Sequence, residues 1–152
     1  MRHTPSTRRW VIRWMYAAAL GHGLVGIGMV LAGNSPALDA YHQSLVTAFW
    51  DSPNTPQARA NNVWWMALFG ATVQCLAVWM AALVHIGNRT RMPQVWLWLM
   101  AGLLLWAPQD MVLSAQAGIW SHVWVDTLAL AAMLPPLGWL YRYDHQHLQN
   151  HD

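Results

Sequence analysis

The chain has 152 residues, of which 56% are hydrophobic and only 9% charged, with 12 Trp, a single Cys and a formal net charge of +2. Soluble domains carry about 25% charged residues, so the composition excludes a soluble globular domain, and the weak positive balance gives no basis for a nucleic-acid partner. It points to an all-α integral membrane protein whose first partner is the lipid bilayer, and the lone Cys75 rules out an intramolecular disulfide.

Four apolar segments are expected to span the bilayer, at about 10–32, 63–86, 94–115 and 119–141, each near the roughly 20 residues that a crossing needs. They take up most of residues 1–152, which are read as one transmembrane domain: a four-helix bundle with an amphipathic surface helix in the first outer loop, 33–62. Arg2, Arg8, Arg9 and Arg13 precede or open the first span, Arg89 and Arg91 lie between the second and third, and Arg142 follows the fourth. Only Arg59 falls on the other side, so the positive-inside rule places both termini in the cytoplasm of a bacterial inner membrane. The start of the chain faintly echoes a targeting signal in "STRRWVIRW" and "MVLAG". Retaining the first span gives the even, charge-consistent topology and is the expectation adopted.

In the first span, "AAALGHGLVGIGMVLAG" puts Ala17, Gly21, Gly28 and Ala32 on one stripe, with Gly23 and Gly26 beside it. Such small residues let helices approach closely in lipid. The stripe is expected to pack within the bundle, with a homodimer seam or a contact to another membrane protein as the alternative. In the loop, Ser35 followed by Pro36 is a helix start, and Leu38, Tyr41, Leu45 and Phe49 recur at helical spacing. That segment reads as an anchor on the outer membrane surface or as a lid over the mouth of the bundle.

The second span carries an inward face of Gly70, Gln74, Ala77 and Ala81, and Cys75 is expected to be a small buried side chain. His85 ends this span near water. In the third span, "LLLWAPQDM" sets Pro108, Gln109 and Asp110 where more leucine would suit lipid. Pro108 is expected to break the helix and free a carbonyl beside Asp110. In the fourth, His122 and Asp126 stand four apart, on one face and within reach of each other.

A rise of about 1.5 Å per residue puts His22 and Gln74 about 16 Å from the outer ends of their helices, Asp126 about 10 Å, Asp110 about 7 Å and His122 about 5 Å. Intramembrane charge is costly, so the two Asp should face inward. His22, Gln74, Gln109, Asp110, His122 and Asp126 thus form a candidate polar cluster in the outer half. Three roles fit it: a hydrogen-bonded core that fixes register, a proton-linked small-solute site, or a transition-metal site with Asp110, His122 and Asp126 as ligands and His22 as a deeper fourth. The depth offset between His22 and His122 speaks against a bis-histidine haem. His145, His147 and His151 in the tail read as solvated rather than ligating.

The runs "VWWMALFGATVQ", "LLLWAPQDM" and "HVWVDTLALAAMLPPLGWL" together resemble a group of small four-span proteobacterial inner-membrane proteins, some of them labelled cell-division proteins. The resemblance covers roughly residues 60–141 and implies the fold; it implies no activity. Nucleotide-binding loops, nucleophile elbows and paired cysteines are missing from the sequence. The expected function is a non-enzymatic accessory or scaffold component without a cofactor. The alternative is a proton-linked carrier or metal-binding protein using Asp110, His122 and Asp126.

Overall fold

The computed structural model describes residues 6–50 and 55–149. Among these residues five helices run in order: α1, Ser6–Ala32; α2, Asp39–Phe49, entered through a short 3-10 turn at Pro36–Leu38; α3, Pro56–Thr90; α4, Pro93–Gln116; and α5, Trp120–Gln149. Four of them, α1, α3, α4 and α5, are long and apolar enough to cross a membrane. Their outward faces are apolar, with Leu20, Leu31, Val78, Trp79, Leu105 and Leu128 all well exposed. In water such faces would be untenable; in lipid they are the solvated surface. The chain is a multi-pass helical membrane protein.

Local chemistry sets the helix ends. Ser35 and Thr55 each accept a hydrogen bond from a backbone N–H of the helix they open, at Ala37 and Ala58, and a proline follows each at the first helical position. Arg91 closes α3 in the left-handed region at φ 55°, after which Pro93 starts α4. Gly118, at φ 73°, makes the turn from α4 to α5, where a side chain would strain the backbone. The helices outrun the expected spans, and most of all α3, with 35 residues, and α5, which continues to Gln149. Hydropathy registers only the part of a helix that lies in lipid, while its hydrogen bonds continue into water.

The expected break at Pro108 does not occur: α4 runs unbroken through it, as α5 does through Pro135 and Pro136. A buried proline costs its helix one hydrogen bond, and neighbours can repair the loss. Pro136 frees the carbonyl of Ala132, and that oxygen accepts from Trp14 Nε1 of α1 at 3.0 Å. Beside Pro108, the Gln109 side chain donates to the Leu105 carbonyl, one residue along from the Leu104 carbonyl that Pro108 frees.

The helices pack as two pairs, α1 on α3 and α4 on α5. At the end that carries the chain termini the pairs close on each other. Val11, Ile12, Met15, Val84, Trp96, Leu99, Met133, Leu137 and Leu140 form one core there, drawn from all four long helices. At its rim Arg8 is buried in a double hydrogen bond to Asp144, Nε to Oδ1 and Nη2 to Oδ2, both 3.0 Å. Trp96 Nε1 donates to Asp144 Oδ2 at 2.9 Å and Arg8 Nη1 to Asn88 Oδ1 at 2.9 Å, so every long helix contributes to this clasp.

Toward the opposite end α1 and α3 touch through Gly26 and Gly70. A methyl group on Gly26 would lie 2.6 Å from the Gly70 carbonyl oxygen, and one on Gly70 would lie 2.7 Å from the Gly26 carbonyl oxygen. Gly23 faces Ala77 nearby. The α3 face expected to look inward therefore does so, whereas the α1 stripe is displaced from its expected place. Gly21 and Gly28 have open space where a side chain would stand, and Ala17 and Ala32 are exposed. Several small-residue stripes overlap on this helix, and α3 uses the adjacent one. Cys75 is exposed on the lipid-facing side of α3 rather than buried.

Candidate functional site

At the end away from the termini the two helix pairs separate, leaving an open cavity of about 730 Å³. Met66 and Phe69 of α3 line one side, Trp106 and Leu113 of α4 the other, and Tyr41, Leu45 and Phe49 of α2 face into it. The loop helix thus takes the place of a lid. Two polar contacts hold it down: the buried His42 Nε2 donates to the Gly33 carbonyl at 2.7 Å, and Arg59 Nη1 donates to Asp39 Oδ1 at 2.7 Å. Arg59 Nε also donates to Asn34 Oδ1 at 2.8 Å, closing the loop onto the start of α3.

Tyr41, His122 and Asp110 of the cavity lining are joined, through the buried Ser114 behind them, into a chain of four side chains from three helices. Tyr41 OH lies 3.0 Å from His122 Nε2, His122 Nδ1 lies 3.1 Å from Ser114 Oγ, and Ser114 Oγ donates to Asp110 Oδ1 at 3.0 Å. Ser114 has one hydroxyl proton, and that goes to Asp110. The serine oxygen must therefore accept from His122 Nδ1–H, while Nε2 meets the Tyr41 hydroxyl as acceptor in the neutral ring and as donor in the protonated one. With the neutral ring, donation runs from the α2 phenol to the α4 carboxylate. Burial pushes the Tyr41 phenol above its ordinary pKa and the Asp110 carboxylate adds to the shift, so the phenol keeps its proton at neutral pH. The Tyr41 and His122 rings also stack at 5.8 Å between centroids.

A serine, a histidine and an aspartate in contact invite comparison with a nucleophilic triad. In a triad the imidazole stands between serine and carboxylate and takes the serine proton. Here the serine stands in the middle, gives its proton to the carboxylate and is only 6% exposed. Both imidazole nitrogens are engaged. The arrangement suits a fixed polar wall that presents one carboxylate, rather than nucleophilic attack.

Of the residues proposed from sequence, Asp110, His122 and Gln109 line the cavity. Asp126 is adjacent in sequence register but buried away from it at 2% exposure, with Oδ2 lacking a hydrogen-bond partner. His122 turns to Tyr41 and Ser114 instead of to Asp126. His22 and Gln74 bond within their own helices, His22 Nδ1 to the Ala18 carbonyl at 2.8 Å and Gln74 Nε2 to the Gly70 carbonyl at 3.4 Å, so neither joins the cluster. Among the described residues no three His, Cys, Asp or Glu side chains converge as a metal site would require; a metal on His122 would have to displace Tyr41 or Ser114. In the tail, His147 Nδ1 donates to the Tyr143 carbonyl one turn back in α5, and His151 lies outside the described residues.

Sequence reasoning passed over Ser114 and the hydrogen bond of Tyr41. Ser114 had a signal, since "DMVLS" spaces it four residues from Asp110 on one helix face. Comparison of the chain with protein-family models, with curated proteins and with solved structures finds no match. Fold and site together define a multi-pass helical membrane protein with a lidded cavity between its helix pairs.

Proposed function

We propose that this is a small, non-enzymatic component of the bacterial inner membrane, with both termini cytoplasmic, that holds an amphiphilic small molecule in its outer half. The observation that carries the reading is the cavity of about 730 Å³ ending on the Tyr41–His122–Ser114–Asp110 chain. Its volume falls in the range of small-molecule sites, about 300 to 1,000 Å³, and apolar walls with a few convergent polar groups are the usual composition of such sites. Asn62 also borders the cavity, and its buried Nδ2 has no hydrogen-bond partner, a donor that a ligand oxygen would satisfy. The seven-to-one Arg distribution supports the orientation, and the four-span inner-membrane proteins that the sequence resembles support the location.

An accessory or scaffold role adds to this reading. Ala17, Gly21, Gly28 and Ala32 leave a shallow outward face on α1 that suits a second membrane helix, from another copy or another protein. Native mass spectrometry of the protein released from a mild neutral detergent tests both parts. The expected result is a low-mass adduct that is lost when Leu45→Trp and Leu113→Trp narrow the cavity. A clean apo mass for the wild-type chain under conditions that retain bound lipids in other membrane proteins would count against the ligand reading, and a strictly monomeric spectrum against the α1 contact.

A further inference from the structure

We infer that the ligand of the outer cavity is a lipophilic cation: a quaternary ammonium or protonated amine on an aromatic or branched apolar body that also carries an oxygen acceptor for the unpartnered Asn62 amide. The inference rests on the ligand-binding reading above and adds the charge and class of the ligand. Two observations carry it. First, six of the fifteen described residues that line the cavity are aromatic, Tyr41, Phe49, Trp50, Trp65, Phe69 and Trp106, and they come from α2 and its C-cap, α3 and α4. Aromatic faces attract cations through their quadrupoles, most strongly when desolvated, and walls of this kind are how quaternary ammonium groups are recognised.

Second, among the described residues the only acidic or basic side chain in that lining apart from His122 is the Asp110 carboxylate. No Arg lines the cavity among the described residues, and the whole sequence has no Lys. His122, 3.7 Å from Asp110, has both ring nitrogens engaged by Tyr41 and Ser114 rather than by the carboxylate. Arg59, in the first turn of α3, is held by Asp39 and Asn34. A carboxylate at an apolar, aromatic wall with no arginine or lysine beside it is complementary to a positive ligand.

The same charge pattern discriminates against the other ready occupant, a phospholipid. A phosphate group at this wall would meet Asp110 with no guanidinium to receive it, a repulsion instead of a charge-assisted contact. An anionic amphiphile would fare likewise. A compact lipophilic cation fills the aromatic walls with its body and sets its charge against Asp110.

Tetraphenylphosphonium and tetraphenylborate make the test, because the two ions share shape and apolar surface and differ in sign. Each is titrated into the purified full chain in an uncharged detergent below its own aggregation limit, with binding read by isothermal calorimetry, alongside the neutral triphenylphosphine oxide. The expected result is saturable binding of tetraphenylphosphonium, at least about tenfold tighter than tetraphenylborate. Asp110→Asn, which keeps the acceptor for Ser114, should weaken the cation at least about tenfold, and Trp106→Leu about threefold to tenfold. Should either variant fail to fold, the ion pair on the wild-type chain still decides. Equal binding of both ions, tighter binding of the anion, or an unchanged affinity in a folded Asp110→Asn variant overturns the cation inference while leaving a ligand cavity in place. Failure of all three probes to saturate removes the cavity reading and this inference with it.

Discussion

Replacing Gly26 by alanine is expected to destabilise the bundle, and replacing Gly21 by alanine, five residues earlier on the same helix, is not. The new methyl at position 26 would lie 2.6 Å from the Gly70 carbonyl oxygen, 2.9 Å from Gln74 Cγ and 3.0 Å from the Gln74 backbone nitrogen. Two of these three are backbone atoms, which cannot swing away, so α1 and α3 must part by roughly 0.5 Å or more. A gap of that size forfeits about a quarter to a half of the dispersion energy along the contact. Overpacking of this kind costs about 1 to 3 kcal/mol, and the better helix propensity of alanine returns at most about 1 kcal/mol. A net loss of about 1 to 2 kcal/mol follows for Gly26→Ala, whereas Gly21→Ala, with nothing within 4 Å, has only the propensity term and should be neutral or slightly stabilising. Thermal unfolding of the two variants side by side in dodecyl maltoside, followed by loss of the monodisperse peak, makes the comparison. Equal melting temperatures would show that α1 and α3 do not meet at these glycines.

Asp144→Asn leaves the buried Arg8 guanidinium without its anion, so a loss of about 3 to 5 kcal/mol is expected in the same assay; a variant as stable as wild type would mean the clasp contributes nothing to closing the bundle. Asp126→Asn, in contrast, should hold stability or raise it by about 1 to 3 kcal/mol, because it removes the charge of a buried carboxylate whose Oδ2 has no partner, and a clear drop in melting temperature would reveal a bond to Asp126. Because the folded Tyr41 pKa is raised above its unfolded value, the stability it contributes is complete below the ordinary phenol range and is lost only as pH climbs through and past it. An absorbance titration should therefore show a phenolate step above the ordinary phenol range, and Tyr41→Phe should abolish it; an unaltered titration curve would refute the assignment.

What could be read beforehand divides by distance along the chain. The four spans were legible because lipid demands about 20 apolar residues in a row, and the α3 face of Gly70, Gln74 and Ala77 because its small residues recur at helical spacing. The helix ends were not, since α3 and α5 continue through polar residues such as Arg59 and His145 that no bilayer argument governs. On α1 the small residues from Ala17 to Gly33 allow several stripes, and only the position of Gly70 on α3 selects the one with Gly26. Pro108 and Pro136 look alike in sequence as helix breakers, yet Ala132 finds a donor in Trp14, 118 residues away. Likewise Asp110 and Ser114 share a helix face and were within reach of local reasoning. Tyr41 and His122 are 81 residues apart and Arg8 and Asp144 are 136 apart, so nothing local could pair them. The Arg residues were read as topology signals, and the burial of Arg8 shows one of them acting also as a structural tie.

The most direct measurement is a saturation experiment on the cavity itself. Melting temperature of the purified wild-type chain is followed against rising concentrations of small cationic, neutral and anionic amphiphiles, with the Leu45→Trp, Leu113→Trp double variant as the control. A ligand that binds only the folded state stabilises it by about 2.7 kcal/mol at a hundredfold excess over its dissociation constant. The account predicts saturable stabilisation by at least one class of amphiphile in the wild-type chain and its loss in the narrowed variant, whose Tyr41–His122–Ser114–Asp110 chain is untouched. Stabilisation that never saturates, or that is identical in the narrowed variant, would contradict it.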